Sequence, residues 1–83
     1  MASIAALSFG FRNAYLDYTR LTGQLHQWAE AYPHLCRVRS IAKTPEGRDV
    51  WLFAVGAEPD RVRPAVWVNG NLHAAELAGS SVA

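Results

Sequence analysis

One cysteine stands in 83 residues. No disulfide can close within the chain, and no cysteine-based zinc site can form. Cys36 reads as a small apolar packing residue, because a reactive thiol needs an electropositive and partly exposed setting. There is no apolar run of about 18 residues or more, the length a membrane-spanning helix needs. The opening stretch MASIAALSFGF lacks a positive n-region and a continuous apolar h-region, so it does not read as a secretory signal. The expectation is an intracellular, cytoplasmic protein with no membrane partner. Charge of one sign is also scarce: eight basic and seven acidic residues leave a net charge of +1. Without a basic block there is no electrostatic footprint for nucleic acid. Arg37, Arg39, Arg61 and Arg63 are the only local basic pairs, and they read as solvated strand-edge and loop charges. No internal repeat and no low-complexity segment is present.

What the chain does have is apolar material. Hydrophobic residues make up 51% and charged residues 18%, which fits a globular protein rather than a disordered one. Three each of Trp, Tyr and Phe suggest a core, or a piece of a larger one. A chain of this length forms one small domain at most and buries only roughly 60–65% of the surface its unfolded form exposes.

Residues 1–14 show no clear period and read as a flexible lead-in; residues 15–83 read as the folded portion. Tyr18, Leu21, Leu25, Trp28, Ala29 and Tyr32 fall on one apolar stripe at the helical period. Asp17 is placed to cap that helix, and Pro33 ends it by disfavouring helical geometry in the residue before it. Leu35 to Ala42 alternates, with Cys36, Val38 and Ser40 on one side and Arg37, Arg39 and Ile41 on the other, as in an outer strand. Val50 to Val55 (VWLFAV) and Ala65 to Val68 (AVWV) are apolar on both faces, as in strands covered on both sides. A turn-rich connection, Lys43 to Asp49, links the first two, and a loop, Gly56 to Pro64, links the second to the third. The order is helix, three strands, then a loop and the start of a second helix. The fold class is α/β, with one sheet face under-covered, as at the beginning of a larger domain.

The chemistry is concentrated in Asn69 to Ala83, NGNLHAAELAGSSVA. His73 and Glu76 are three apart, a spacing that projects both to one side in a first helical turn. Imidazole and carboxylate are donors that zinc accepts, and a catalytic zinc site has three protein ligands and an open position. His73 and Glu76 could supply two of the three. They follow an apolar strand, at the strand end where α/β sheets place ligands. The plainer reading is a His at a strand end and a Glu that favours a helix dipole. HxxE taken alone leaves both open. His26 and His34 read as surface histidines, and Glu46 and Arg48 as turn residues.

Over residues 15–83 the sequence resembles the N-terminal part of the zinc metallocarboxypeptidases. The likeness runs through the helix ending in Tyr32-Pro33 and the strand Val38 to Ile41. It continues in the Glu46-Gly47-Arg48 hairpin followed by VWLFAVG, then Pro64-Ala65-Val66-Trp67-Val68, and finally Gly70-Asn71-Leu72-His73-Ala74-Ala75-Glu76. The resemblance implies an α/β/α sandwich with a mixed sheet, one zinc ion per complete domain, a peptide substrate, and hydrolysis of C-terminal peptide bonds. It assigns His73 and Glu76 as metal ligands. The family's third ligand, its general base, and the Arg and Asn that hold the substrate carboxylate have no counterpart here. No catalytic residue is therefore expected within this chain, and its substrate-binding residues stay unassigned. The expectation is a fragment that binds zinc weakly and is inactive by itself. The best-known pancreatic members carry an Arg just before the motif Glu; Ala75 stands there, so that subsite preference does not transfer.

Two alternatives accompany this reading. One is a fragment of a zinc amidohydrolase of the aspartoacylase or succinylglutamate desuccinylase type. Those enzymes usually have Gly and Asn where Ala74 and Ala75 stand. The other is a non-catalytic folded module, whose uncovered VWLFAV and AVWV strands would favour self-association.

Overall fold

The structure, a computed structural model, describes residues 3–70, 72–73 and 77–82. Its elements are α1 (Ile4–Leu7), α2 (Phe9–Asn13), α3 (Tyr18–Ala31), β1 (Cys36–Lys43), β2 (Asp49–Val55) and α4 (Leu77–Val82).

The main helix forms where its stripe and caps place it. Asp17 is extended, and its carboxylate accepts from the Arg20 amide at 2.8 Å, satisfying one of the free donors of the first turn. At the other end the Tyr32 amide still bonds to the Trp28 carbonyl, but Tyr32 has left helical geometry (φ −128°, ψ 62°). Pro33 follows, and its ring excludes the helical conformation at the residue before it.

β1 and β2 pair antiparallel, from Cys36 opposite Val55 to Lys43 opposite Asp49. The register shifts between Ser40 and Ala42. Ile41 is thus the extra residue of a bulge, and it is 50% exposed. The connecting turn is closed by Thr44 N–H to Arg48 carbonyl (2.8 Å) and Gly47 N–H to Thr44 carbonyl (2.9 Å). Gly47 sits at φ 83°, which a residue with a Cβ adopts only with strain.

α3 lies across one face of this hairpin. Alternation along β2 puts Trp51 and Phe53 on that face. Trp51 donates its indole N–H to Thr22 Oγ1 at 2.9 Å, and Phe53 meets Trp28 at 5.8 Å between ring centroids. Trp28 is shared: it also takes Phe11 edge-on at 5.6 Å and donates to Ser8 Oγ at 3.0 Å. Trp28 therefore joins the hairpin to the N-terminal segment. The Tyr18 hydroxyl donates to the Asp49 carbonyl at 3.0 Å, tying the start of α3 to the start of β2.

Three expectations are revised. The segment before residue 15 has no legible period, yet it holds α1 and α2. Helices of four and five residues are too short to draw a stripe; Ser3 caps the first by accepting from Ala6 N–H at 3.2 Å, and docking on Trp28 supplies the rest. Next, Ala65 to Val68 is not a strand: it is irregular, and Val66, Trp67 and Val68 are 90%, 68% and 64% exposed. A strand exists through its ladder, and among the described residues β1 and β2 pair only with each other. The sheet is therefore two-stranded rather than three-stranded. Last, β2 is not buried on both faces. Trp51 to Ala54 are half-buried, while Val50 and Val55 are exposed.

The core is thin as a result. Cys36 is the buried apolar residue among those described, Ser8 and Gln24 are buried polar ones, and no large side chain is fully buried. The chain exposes 6454 Å², against about 4,900 Å² for a compact folded monomer of this mass by the usual scaling.

Candidate metal centre

His73 stands at a bend between the irregular segment 62–70 and α4, with its side chain exposed. Glu76, the second residue of the HxxE pair, lies outside the described residues, as do Ala74 and Ala75. α4 begins at Leu77, directly after the motif, where the sequence places the start of a second helix. Upstream the chain comes close to that helix. A Cβ built on Gly70 would overlap the Gly79 carbonyl oxygen, and it would lie 3.0 Å from Ser80 N.

The donor chemistry of the pair suits zinc, an imidazole nitrogen and a carboxylate oxygen. The number of donors does not complete a site. Among the described residues, no group of three or more His, Cys, Asp or Glu comes together around a common point. His26 and His34 stay apart from any such cluster. His26 is exposed on α3, its Nδ1 2.8 Å from the Thr22 carbonyl oxygen and its ring edge-on to Trp51 at 4.9 Å. It is thus a solvent-facing residue that also shields an indole. His34 is exposed in the turn after Pro33 and borders a shallow depression with Leu35, Arg37, Glu58 and Asp60.

That depression is organised by one ion pair. Arg37 donates from Nε and Nη2 to the Asp60 carboxylate at 2.8–3.2 Å, and from Nη1 to the Pro33 carbonyl at 2.9 Å. The guanidinium's hydrogen bonds and charge hold the Asp60 carboxyl below its ordinary range, and the carboxylate holds the guanidinium above its own. Sequence reading took Arg37 for a solvated charge. Its partner lies 23 positions away, a separation that leaves no local pattern to read. At the hairpin end, the Ser40 hydroxyl donates to Asp49 at 2.5 Å and the Lys43 ammonium lies 2.9 Å from it. The hydroxyl first and the ammonium second keep that carboxyl low. Glu46 and Arg48 pair with each other at 3.0 Å across the turn. Burial pushes the Cys36 thiol up, which suits a packing residue rather than a nucleophile.

Comparison with known proteins bears on the same segment. Residues 21–83 match the family model described as zinc carboxypeptidase. A zinc carboxypeptidase of Saccharothrix mutabilis subsp. capreolus is 31% identical over 64 residues, covering 75% of this chain. Carboxypeptidase D of Drosophila melanogaster is 31% identical over 70 residues (80% of the chain), and carboxypeptidase A6 of Mus musculus 34% over 55 residues (66%). The matched regions are 15%, 5% and 13% of these relatives' lengths, respectively. No solved structure matches the chain.

Proposed function

The chain belongs to the zinc carboxypeptidase family, and from that premise we propose that it forms the N-terminal part of a metallocarboxypeptidase domain, with His73 and Glu76 as two of three zinc ligands. The observation that carries this reading is the position of HxxE: residues 73–76 fall inside the matched span 21–83, at the junction between an apolar segment and the first turn of α4. When bound, zinc polarises the scissile carbonyl and lowers the pKa of its water. The part this chain plays is to hold the metal through one imidazole and one carboxylate. The third ligand, the general base and the groups that bind the substrate's terminal carboxylate belong to other segments of the complete domain.

The same reading gives the exposed Ala65 to Val68 segment a role. Its apolar residues on both sides suit an inner strand of a mixed sheet within an α/β/α sandwich. The reaction of the complete domain is hydrolysis of C-terminal peptide bonds. The amidohydrolase alternative is disfavoured by Ala74 and Ala75 and by the family match.

Zinc titration of the purified chain, followed by calorimetry and, in the parent chain, also on the His73 ring resonances, tests the assignment. Weak, saturable binding is expected, abolished by His73→Ala and diminished by Glu76→Gln, with no release of C-terminal residues from a peptide. Tight binding that survives both substitutions would overturn the ligand assignment. Zinc-dependent peptidase activity of this chain alone would overturn the division of labour.

A further inference from the structure

We propose that the outer edge of β2 is a pairing edge for a second copy of this chain, joining two hairpins antiparallel across a two-fold axis into one four-stranded sheet.

The two edges of the hairpin differ in how they are guarded. A strand edge is ordinarily blunted by charge, by a bulge or by cover from a neighbouring element. β1 has all three. Arg37, Arg39 and Lys43 lie along it, it holds the extra residue where the register slips between Ser40 and Ala42, and α3 lies nearer to it than to β2. Its first amide, that of Cys36, is already bonded to the Tyr32 carbonyl at 2.9 Å. β2 has none of these past its first residue. Val50 to Val55 contains no charge, proline or glycine, and the bulge lies on the other strand.

The ladder shows which groups are open. The Gly56 amide bonds to the Leu35 carbonyl at 2.8 Å. Along an antiparallel strand, residues that bond across the ladder alternate with residues whose N–H and C=O point away. Counting back from Gly56, Ala54 and Leu52 turn towards β1, and Val55, Phe53 and Trp51 turn outward. Asp49 falls in the outward series too, and its carbonyl is the one that accepts from the Tyr18 hydroxyl at 3.0 Å, in agreement with this phase. Among the described residues no main-chain group bonds the outward N–H and C=O of Trp51, Phe53 and Val55.

This open stretch is self-complementary. On a two-fold axis through Phe53, each Phe53 faces Phe53 of the second copy and each Trp51 faces Val55 of the second copy. About six main-chain hydrogen bonds form, and no charge stands opposite another between Val50 and Val55. Val55, 73% exposed, gains an indole as its cross-strand neighbour. Surface is available for such a contact. The chain exposes 6454 Å², about 1,500 Å² above the compact value for its mass, and a specific interface takes about 800 Å² from each partner. The guarded β1 edges then lie at both ends of the sheet, so assembly stops at two copies. The proposal does not rest on the metal reading.

Analytical ultracentrifugation of the chain, with amide hydrogen exchange at low and at high concentration, tests it. The mass is expected to double as concentration rises. Over the same range the Trp51, Phe53 and Val55 amides should slow by at least about tenfold, while the outward Val38 and Ser40 amides of β1 keep their rates. Val55→Pro removes one outward donor at an exposed position, and it should return the chain to monomer with its helical circular dichroism intact. Should that variant unfold, the exchange rates of the parent chain decide by themselves. A chain that stays monomeric at the highest concentration overturns the proposal. So does a dimer whose new protection falls on Val38 and Ser40, or on residues 65–68, instead of the β2 amides. Protection of the three β2 amides at every concentration would mean that the edge is paired within one chain, and assembly beyond two copies would remove the two-fold; either result overturns it as well.

Discussion

Two stretches of this chain carry the same kind of sequence and meet different fates. Trp51-Leu52-Phe53-Ala54 of β2 and Ala65-Val66-Trp67-Val68 are both apolar on both faces. The first is half-buried, with Trp51 bonded to Thr22 and Phe53 against Trp28. The second is exposed, with Trp67 at 68%. The difference lies in what each stretch finds beside it. β2 has β1 across a tight turn and α3 packed on it, both supplied by the preceding residues 18–43. Ala65 to Val68 has neither a ladder partner nor a covering helix among the described residues. Hydrophobicity marks a segment as fit for burial; neighbours decide whether burial happens.

The comparison is broken or sharpened most directly at its tryptophans. Trp28→Ala removes the ring that joins α3, Phe53, Phe11 and Ser8. It should cost about 3–5 kcal/mol, enough to unfold much of a small domain, read as lost helical circular dichroism or a sharply lower urea midpoint. Trp67→Ala should change stability by no more than ~0.5 kcal/mol. Equal losses from the two would show that the second stretch is packed after all.

A smaller effect of opposite sign is expected at Gln24, which is 6% exposed and whose Nε2 is buried with no hydrogen-bond partner. A buried unsatisfied amide costs about 1–3 kcal/mol. Gln24→Met keeps the length and removes that cost, so the unfolding midpoint should rise; a fall would mean that the amide has an acceptor. Asp17→Ala, which deletes the cap of α3, should destabilise by about 1 kcal/mol in the same assay.

The smallest effect is that of pH. Asp60 is held low chiefly by its hydrogen bonds to Arg37, and Asp49 by the Ser40 hydroxyl and then Lys43. A carboxyl depressed in the folded state contributes stability above its unfolded pKa and loses that contribution as pH falls through the folded value. Stability should therefore decline on the acid side, beginning near the ordinary carboxylate range of about pH 4. Asp60→Asn should flatten that decline slightly, and added salt should do the same, because the Arg37–Asp60 pair is near solvent. An acid limb of unchanged steepness in Asp60→Asn at low salt would remove this pair from the account.

The main helix was legible because its information is local: a stripe at the helical period, Asp17 before it and Pro33 after it. The hairpin was legible for the same reason, through alternation and a turn whose Gly47 supplies the positive φ. The two short N-terminal helices were not, because four or five residues give no period and their packing depends on Trp28, far along the chain. Arg37 looked like a loose charge because its partner, Asp60, is remote in sequence. At the candidate site, the spacing of His73 and Glu76 marked a candidate donor pair, whereas the close approach of Gly70 to α4 was not legible, since nothing in a glycine says what passes beside it.

By itself the sequence determined the type and limits of α3, β1 and β2, the absence of a disulfide within these 83 residues, and the HxxE spacing that suggests a ligand pair. These follow from side-chain periodicity, backbone restriction at Pro and Gly, and ligand chemistry, all of which act over a few residues. Only the tertiary structure decided which apolar stretch is covered, which guanidinium is paired, and where Gly70 rests against α4. Those outcomes depend on contacts between residues distant in the chain, and such contacts exist only once the chain has been brought together.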